Sequence, residues 1–221
     1  MCGRFTMHTP LDRLQRLFPG WKIFEGIGAR YNIAPMQEVL AARNDGRRVI
    51  EPLRWGLIPF WAKDPAIGSR MINARVETVA ERPAFRGALR RRRCLVLADG
   101  YYEWQKSGRG KIPFYITMKS GEPFAFSGLW ESWGPEEHPL RSCTIIVGPA
   151  NHVTAPIHDR MPVVLHREDY AAWLAPEEQK PENLLPMLQP YPSEEMRAWP
   201  VSTAVNSPRN DAPELIERIT P

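Results

Sequence analysis

The chain of 221 residues is 43% hydrophobic and 24% charged, a globular composition whose length suits one domain with a substantial core. It contains no run of about 18 apolar residues and no apolar leader, so neither a membrane span nor an exported protein is expected. Cys2, Cys94 and Cys143 form no CxxC motif and no metal-ligand spacing with histidine. Reduced thiols, a cytoplasmic location and no metal or other cofactor are therefore expected.

The charge is distributed unevenly along the chain. Residues 1–111 contain 21 Lys and Arg against 10 Asp and Glu, whereas residues 112–221 contain 8 against 15. The overall net charge of +4 therefore conceals a strongly basic first half. Surfaces built from that half are expected to favour an anionic partner.

The beginning of the chain is predicted to form a short helix and a hairpin. The helix follows Thr9, its expected N-cap, and stops at Pro19–Gly20. Residues 30–35 are expected to form an ordered loop, because they show no period and end in an X-Pro step. Strands at Val39–Ala42 and Val49–Ile58 flank an Asn-Asp-Gly turn, which is typical of a hairpin.

The middle of the chain is rich in strand patterns. A predicted helix at Glu81–Leu89 runs into four arginines, residues 90–93, which either form a solvated basic helix end or bind phosphate. Successive strands joined by short turns follow, which indicates an antiparallel sheet or barrel. The predicted strands are Cys94–Ala98, a strand beginning at Tyr101, Ile112–Met118, Phe124–Trp133 and Arg141–Val147.

The last third is predicted to contain three short helices and a final strand. The helices are expected at about residues 167–174, 183–188 and 193–199, all with acidic polar positions. The strand is expected at Val201–Asn206.

Cys2 is the most informative candidate for chemistry. If Met1 is removed, Cys2 carries a free α-amine and a thiol, which titrate near ~8 and ~8.5 in model peptides. This pair can react with an aldehyde, since the amine forms an imine and the thiol then closes a five-membered thiazolidine ring. The alternative is that Cys2 is merely the second residue of a frayed terminus.

Three further residues have both a functional and a structural interpretation. Glu103 shares a strand face with Tyr101, and a carboxylate there either has a partner or lines a cleft. His158 is either a general acid or base or a structural histidine. Trp61 follows Pro59 in a polar loop, where an exposed ring can stack on a base.

Seven motifs, in order along nearly the whole chain, together resemble the SOS response-associated peptidase (SRAP) family of abasic-site processing proteins. Each motif alone is weak, but seven in register are specific. The motifs are Met1–Phe5, Tyr31–Pro35, Arg54–Pro59, Asn73–Arg75, Gly100–Trp104, Ile157–Pro162 and Val205–Asn206.

The resemblance implies a single α+β domain over residues 1–221, with a barrel-like, mostly antiparallel sheet core and peripheral short helices. It also implies a basic cleft for single-stranded DNA. We expect a monomer that is cytoplasmic and that associates with the nucleoid when it is bound to DNA. The family's active-site positions are occupied by Cys2, Asn73, Glu103 and His158.

The expected DNA contacts come from arginines and aromatic rings. Arg4 and Arg75 match the family's phosphate-contacting arginines, and Arg160 lies in another family motif. Trp104 and Trp61 are candidates for stacking on bases. The implied activity is a covalent crosslink between Cys2 and the ring-opened sugar of an abasic site. Two alternatives are a cysteine peptidase or autoprotease that uses Cys2 and His158, and a non-covalent nucleic-acid-binding domain.

Overall fold

The structure, a computed structural model, describes residues 2–108 and 110–219. Strands supply most of its regular elements: β1 (Arg4–Met7), β2 (Lys22–Ile23), β3 (Arg30–Ile33), β4 (Glu38–Arg43), β5 (Val49–Trp55), β6 (Asn73–Arg75), β7 (Arg93–Ala98), β8 (Gly100–Ser107), β9 (Gly110–Met118), β10 (Phe124–Trp133), β11 (Leu140–Pro149), β12 (Arg160–Pro162) and β13 (Met196–Pro200). The α-helices are α1 (Leu11–Leu17), α2 (Arg86–Arg91), α3 (Tyr170–Trp173) and α4 (Pro181–Leu184). Short 3-10 helices lie at Pro65–Arg70, Arg167–Asp169, Leu185–Met187, Ser193–Glu195, Thr203–Asn206 and Pro213–Ile216.

Five of these strands close into a barrel in the order β11, β10, β7, β4, β5 and back to β11. Four pairings are antiparallel, and the closing pair of β5 and β11 is parallel, with Arg54 opposite Ser142 and Trp55 opposite Cys143. Closure pairs both sides of every barrel strand, which removes exposed edges. The predicted fold class, a single domain of mostly sheet around a barrel-like core, is confirmed.

A second, open sheet has the strand order β13, β9, β8, β1, β3. It docks on the barrel through Phe5 of β1, whose ring lies 5.1 Å from that of Trp55 and 5.7 Å from that of Phe126. Burying one such ring contributes about 1.5–3 kcal/mol. The docking therefore holds the residues around Phe5, including Cys2 and Arg4, at the seam between barrel and sheet.

Alternation along β8 assigns its two faces as predicted. Tyr101 faces the barrel, with its ring 6.1 Å from that of Phe126, and period two places Glu103 on the same side. Tyr102 and Trp104 point the other way and pack in a small apolar cluster with Val205. The predicted division of β8 into a Tyr101–Glu103 face and a Tyr102–Trp104 face is thus confirmed.

The strand predictions in the middle of the chain are confirmed within a few residues, but three predictions elsewhere are wrong. Residues 30–33 are a strand and not a loop, because β3 pairs with β1 and tertiary pairing overrides a weak local pattern. The helix predicted at 193–199 is only a turn followed by β13, which pairs with β9. The strand predicted at 201–206 is replaced by a 3-10 turn at Thr203–Asn206, where the Ser202 hydroxyl accepts a hydrogen bond from the Ala204 backbone N–H.

The predicted helices are shorter than expected. The helix after Thr9 exists as α1, but Thr9 is not its cap, since the backbone N–H and hydroxyl of Thr9 both donate to the Asp99 carboxylate. The helix predicted from Glu81 begins only at Arg86. The helices predicted at 167–174 and 183–188 are short α-helical segments, α3 and α4, adjoining 3-10 turns.

Candidate active site

Cys2 lies in the seam and is fully buried, so the residue is built into the fold and is not part of a frayed end. The backbone N–H of Arg4 donates to its sulfur. Burial raises the pKa of the Cys2 thiol, and the nearby Glu103 carboxylate raises that pKa further. The thiol is consequently protonated at neutral pH.

Asn73 is brought to Cys2 by β6, which pairs in parallel with β11 and places Asn73 opposite Ile145. Its Nδ2 donates to the backbone carbonyl of Cys2 at 2.8 Å. The Oδ1 atom of Asn73 is buried and accepts no hydrogen bond from the residues that the structure describes. A buried acceptor without a donor is costly, so this oxygen is suited to a donor that arrives beside Cys2.

Glu103 and Tyr101 complete the polar wall of the seam from β8. Glu103 is 4% exposed, and its carboxylate acts electrostatically on both Cys2 and Tyr101. Burial raises the pKa of Tyr101, and the charges of Cys2 and Glu103 raise it further. The Tyr101 hydroxyl shares a 3.0 Å hydrogen bond with Thr154 Oγ1. Sequence reasoning gave Tyr101 and Thr154 no role, although alternation along β8 already placed Tyr101 beside Glu103.

His158 is held by the same loop as Thr154. Its backbone N–H donates to the Thr154 carbonyl at 2.9 Å. The ring Nδ1 lies 3.0 Å from the backbone N of Arg160 and 2.8 Å from Asp159 Oδ1. An unprotonated Nδ1 accepts from Arg160, whereas a protonated Nδ1 donates to Asp159. Both protonation states therefore have a partner, which suits a group that gives and takes protons.

Arg4 and Trp104 meet at the turn formed by Thr203–Asn206. The guanidinium of Arg4 donates to Asn32 Oδ1 at 2.8 Å, to the Val205 carbonyl at 2.7 Å and to the Asn206 carbonyl at 3.2 Å. The indole N–H of Trp104 donates to Asn206 Oδ1 at 2.8 Å. Arg4 thus has a structural role, tying β1 to the C-terminal part of the chain, and three of its five N–H donors are used by residues within the described ranges.

Arg75 and Arg160 lie on strands that pair with β11. Arg75 is exposed at the end of β6, opposite Val147. Arg160 lies on β12, opposite Pro149, and forms a 2.5 Å ion pair with Glu77. The two arginines consequently flank the same end of β11.

Trp61 is 49% exposed on the loop between β5 and β6. The neighbouring Ala62 carbonyl accepts a 2.7 Å hydrogen bond from the indole of Trp133, which fixes this loop against β10. Hydrogen bonds thus link Asn73 to Cys2, and Tyr101 through Thr154 to His158. The Glu103 carboxylate acts electrostatically on Cys2 and Tyr101, and Trp61 lies on a different loop.

No group of three or more His, Cys, Asp or Glu among residues 2–108 and 110–219 is arranged to hold a metal ion. None of the helices in those ranges has the length and apolarity that crossing a bilayer requires.

The geometry can be compared with known proteins. The sequence model of the SOS response associated peptidases (SRAP) matches residues 1–208. The chain belongs to this family. The SRAP match includes all of the predicted catalytic and DNA-binding residues.

Several relatives and one solved structure are similar over almost the whole SRAP chain. The abasic site processing protein YoqW of Bacillus subtilis is 47% identical over 222 residues, which cover 98% of this chain and 99% of that protein. The abasic site processing protein HMCES of Rattus norvegicus is 31% identical over 268 residues, which cover 98% of this chain and 75% of that protein. The crystal structure of a Bacteroides thetaiotaomicron protein has a TM-score of 0.88 at 26% identity, covering 99% of this chain and 100% of that one.

Proposed function

We propose that this protein, once Met1 has been removed, captures abasic sites in single-stranded DNA by a covalent thiazolidine link to Cys2. The observation that carries the proposal is the burial of Cys2 between Asn73 and Glu103, in a chain that is 47% identical to a protein named for abasic-site processing. A second residue that only ended the chain would need no such surroundings.

The first step generates the aldehyde. The abasic sugar is a closed hemiacetal, which opens when its C1 hydroxyl loses a proton and its ring oxygen gains one. His158 is proposed to move these protons, because both states of its Nδ1 have a partner, Arg160 or Asp159. The open form exposes the carbonyl carbon to Cys2.

The amine of Cys2 is proposed to react before the thiol. The raised pKa of the thiol leaves little thiolate at neutral pH, while an α-amine near its usual pKa of about 8 has a usable neutral fraction. The amine nitrogen bonds to the carbonyl carbon, and the resulting carbinolamine loses water to give an imine. The orphaned Oδ1 of Asn73 is proposed to accept a hydrogen bond from the amine during this attack.

Ring closure then removes the reactive imine. Glu103 takes the thiol proton as the sulfur of Cys2 bonds to the imine carbon, and it returns a proton to the nitrogen, which receives the C=N electron pair. The net reaction consumes one aldehyde, one amine and one thiol, and releases one water. An imine that is not closed can instead expel the 3′ phosphate by β-elimination, so the thiazolidine keeps the strand intact.

The DNA is proposed to lie across the seam as a single strand. Arg4, Arg75 and Arg160 are proposed to contact phosphates, and Trp104 and Trp61 to stack on bases at about 1–3 kcal/mol each. A single strand is favoured, because extracting a sugar from a duplex costs a few kcal/mol of unstacking. Non-covalent binding should weaken steeply with salt.

Intact mass spectrometry tests the proposal directly. Purified protein is incubated with a single-stranded oligonucleotide that carries one abasic site, beside an unmodified strand and a Cys143→Ala control. The expected adduct has the mass of protein without Met1 plus oligonucleotide minus one water. Absence of an adduct from protein that lacks Met1, together with turnover of a peptide, would overturn the proposal in favour of a peptidase.

A further inference from the structure

A cleft of about 550 Å³ lies away from the contacts around Cys2, and four of its nine lining residues are arginines. This arginine cleft is defined by Phe60, Arg86, Arg90, Arg91, Arg92 and Glu178. We propose that the arginine cleft binds the sugar-phosphate backbone of the same DNA strand, at nucleotides flanking the abasic one. The inference rests on the proposed function, since it extends the path of that strand.

The charges in the cleft are not balanced within the protein. Glu178 lies 3.2 Å from Arg90 and 2.9 Å from Arg91 and so serves two arginines at once, and Arg92 is paired with the buried Glu131. Arg86 is exposed and forms no ion pair with the part of the chain that the structure describes. An open cleft with excess guanidinium groups attracts anions, and guanidinium groups suit phosphate oxygens geometrically.

Aromatic rings beside the cleft favour a nucleic-acid strand among the possible anions. Phe60, on the rim, is 67% exposed, and the adjacent Trp61 is 49% exposed. Exposed rings interleaved with basic side chains are typical of surfaces that bind single-stranded nucleic acid, because the rings stack on bases while the cations follow the backbone. Binding of single-stranded DNA therefore also explains why these two large neighbouring rings are exposed.

The chain connects the arginine cleft to the candidate active site. Asn73 contacts Cys2, Arg75 ends the same strand, and Ala80, five residues later, lines the cleft. Residues 76–80 form turns, and the next helix, α2, carries Arg86, Arg90 and Arg91. A strand held at Arg75 can therefore continue along this segment into the cleft.

Gly87 provides a test that is independent of the arginines. It lines the cleft in α2, and a Cβ added there would meet no atom within 4 Å. Gly87→Glu places a carboxylate in the cleft at a helical position where glycine is unfavourable, so folding is not expected to suffer. Gly87→Gln has nearly the same size without the charge. Arg86→Gln removes the unpaired arginine, and Arg16→Gln removes an exposed arginine of α1 as its control.

The experiment measures non-covalent affinity for unmodified single strands of about 5 and about 20 nucleotides, lengths that bracket typical single-strand sites. For the long strand at about 0.1 M salt, Arg86→Gln should lose about fivefold in affinity and lower the salt slope by about 0.7, the effect of one phosphate contact. Gly87→Glu should weaken binding at least as much. Both control variants should match wild type, as should all variants on the short strand.

Three outcomes would overturn the inference. One is wild-type affinity of Arg86→Gln and Gly87→Glu for the long strand. Another is equal weakening on the short strand. The third is an Arg86-dependent rise in Tm with inorganic phosphate and no change on the long strand, which would assign the cleft to an isolated anion. Failure of the proposed function would give a different result from failure of this inference. Wild type would then form no adduct with abasic DNA, while the affinities of the variants for unmodified strands could still be compared.

Discussion

The closed barrel and the seam beside the open sheet each contain a buried cysteine and a buried glutamate, but in different surroundings. Burial alone raises the pKa of Cys143 in the barrel, whereas Cys2 has both burial and a neighbouring carboxylate. Glu131 of the barrel is neutralised by Arg92 at 2.7 Å, while Glu103 acts on Cys2 and Tyr101. The same residue types thus stabilise the fold in one region and are proposed to perform chemistry in the other.

The strongest test of this contrast substitutes each of the two cysteines in turn. Cys2→Ser should abolish the thiazolidine adduct entirely and increase cleavage of abasic strands, because the imine persists. Cys143→Ala should keep the adduct yield of wild type and lose about 1–2 kcal/mol of stability. Gel analysis of adduct and nicked strand measures both. A Cys2→Ser protein that neither nicks nor traps would count against the imine.

The glutamate of the seam gives the next largest effect. Glu103→Gln should slow adduct formation about 100-fold, the usual contribution of a general acid or base. Its free energy of unfolding should not fall, since a neutral amide is cheaper to bury than a carboxylate. Single-turnover kinetics across pH measure the rate. A wild-type rate in this variant would remove Glu103 from the mechanism.

The glutamate of the barrel should behave in the opposite way. Glu131→Ala leaves Arg92 without its partner and should cost about 3 kcal/mol of stability. The rate of adduct formation by folded protein should stay at the wild-type value. Urea unfolding provides the stability measurement, and Glu131→Met combined with Arg92→Met is expected to recover part of the loss. Slower adduct formation by folded Glu131→Ala would contradict the assignment of Glu131 to the fold and not to the chemistry.

Alkaline pH is expected to lower the free energy of unfolding through the cysteines of both regions, by less per cysteine than Glu131→Ala does. Burial raises the pKa of Cys2 and of Cys143, so each thiol stays protonated in the folded state after it has ionised in the unfolded chain. The unfolded state then binds fewer protons, and stability falls as pH rises above about 8.5, by about 2 kcal/mol per cysteine by pH 10. Urea unfolding of wild type and Cys143→Ala at both pH values measures the difference. An equal pH dependence in the two proteins would contradict this.

The sequence predicted the parts of the fold that have a strong local pattern. The continuous apolar run at Cys94–Ala98 and the short turns after it predict the positions of β7 to β11 to within a few residues. The edge strands β3 and β13 were missed, because their stability comes from pairing with β1 and β9, which no local pattern reports.

The candidate site was predictable to a similar degree. Motif resemblance supplied Cys2, Asn73, Glu103 and His158. The structure shows a hydrogen bond from Asn73 to Cys2 and an electrostatic effect of Glu103 on Cys2, and the catalytic roles of the four residues stay predictions. No local sequence pattern indicated a role for Thr154, since its contact with Tyr101 joins residues that are 53 positions apart in the chain. The structural role of Arg4 was also invisible, because its three acceptors lie on Asn32, Val205 and Asn206, far away in sequence.

The bonds from Arg4 to Val205 and Asn206 have a consequence for the order of events during synthesis. They join residues about 200 positions apart, so they cannot form until the ribosome has released almost the entire chain. Contacts of such long range generally form late in folding. We therefore expect the N-terminal segment of the nascent chain to stay open to an aminopeptidase throughout translation. The proposed removal of Met1 can then be complete before folding closes over Cys2.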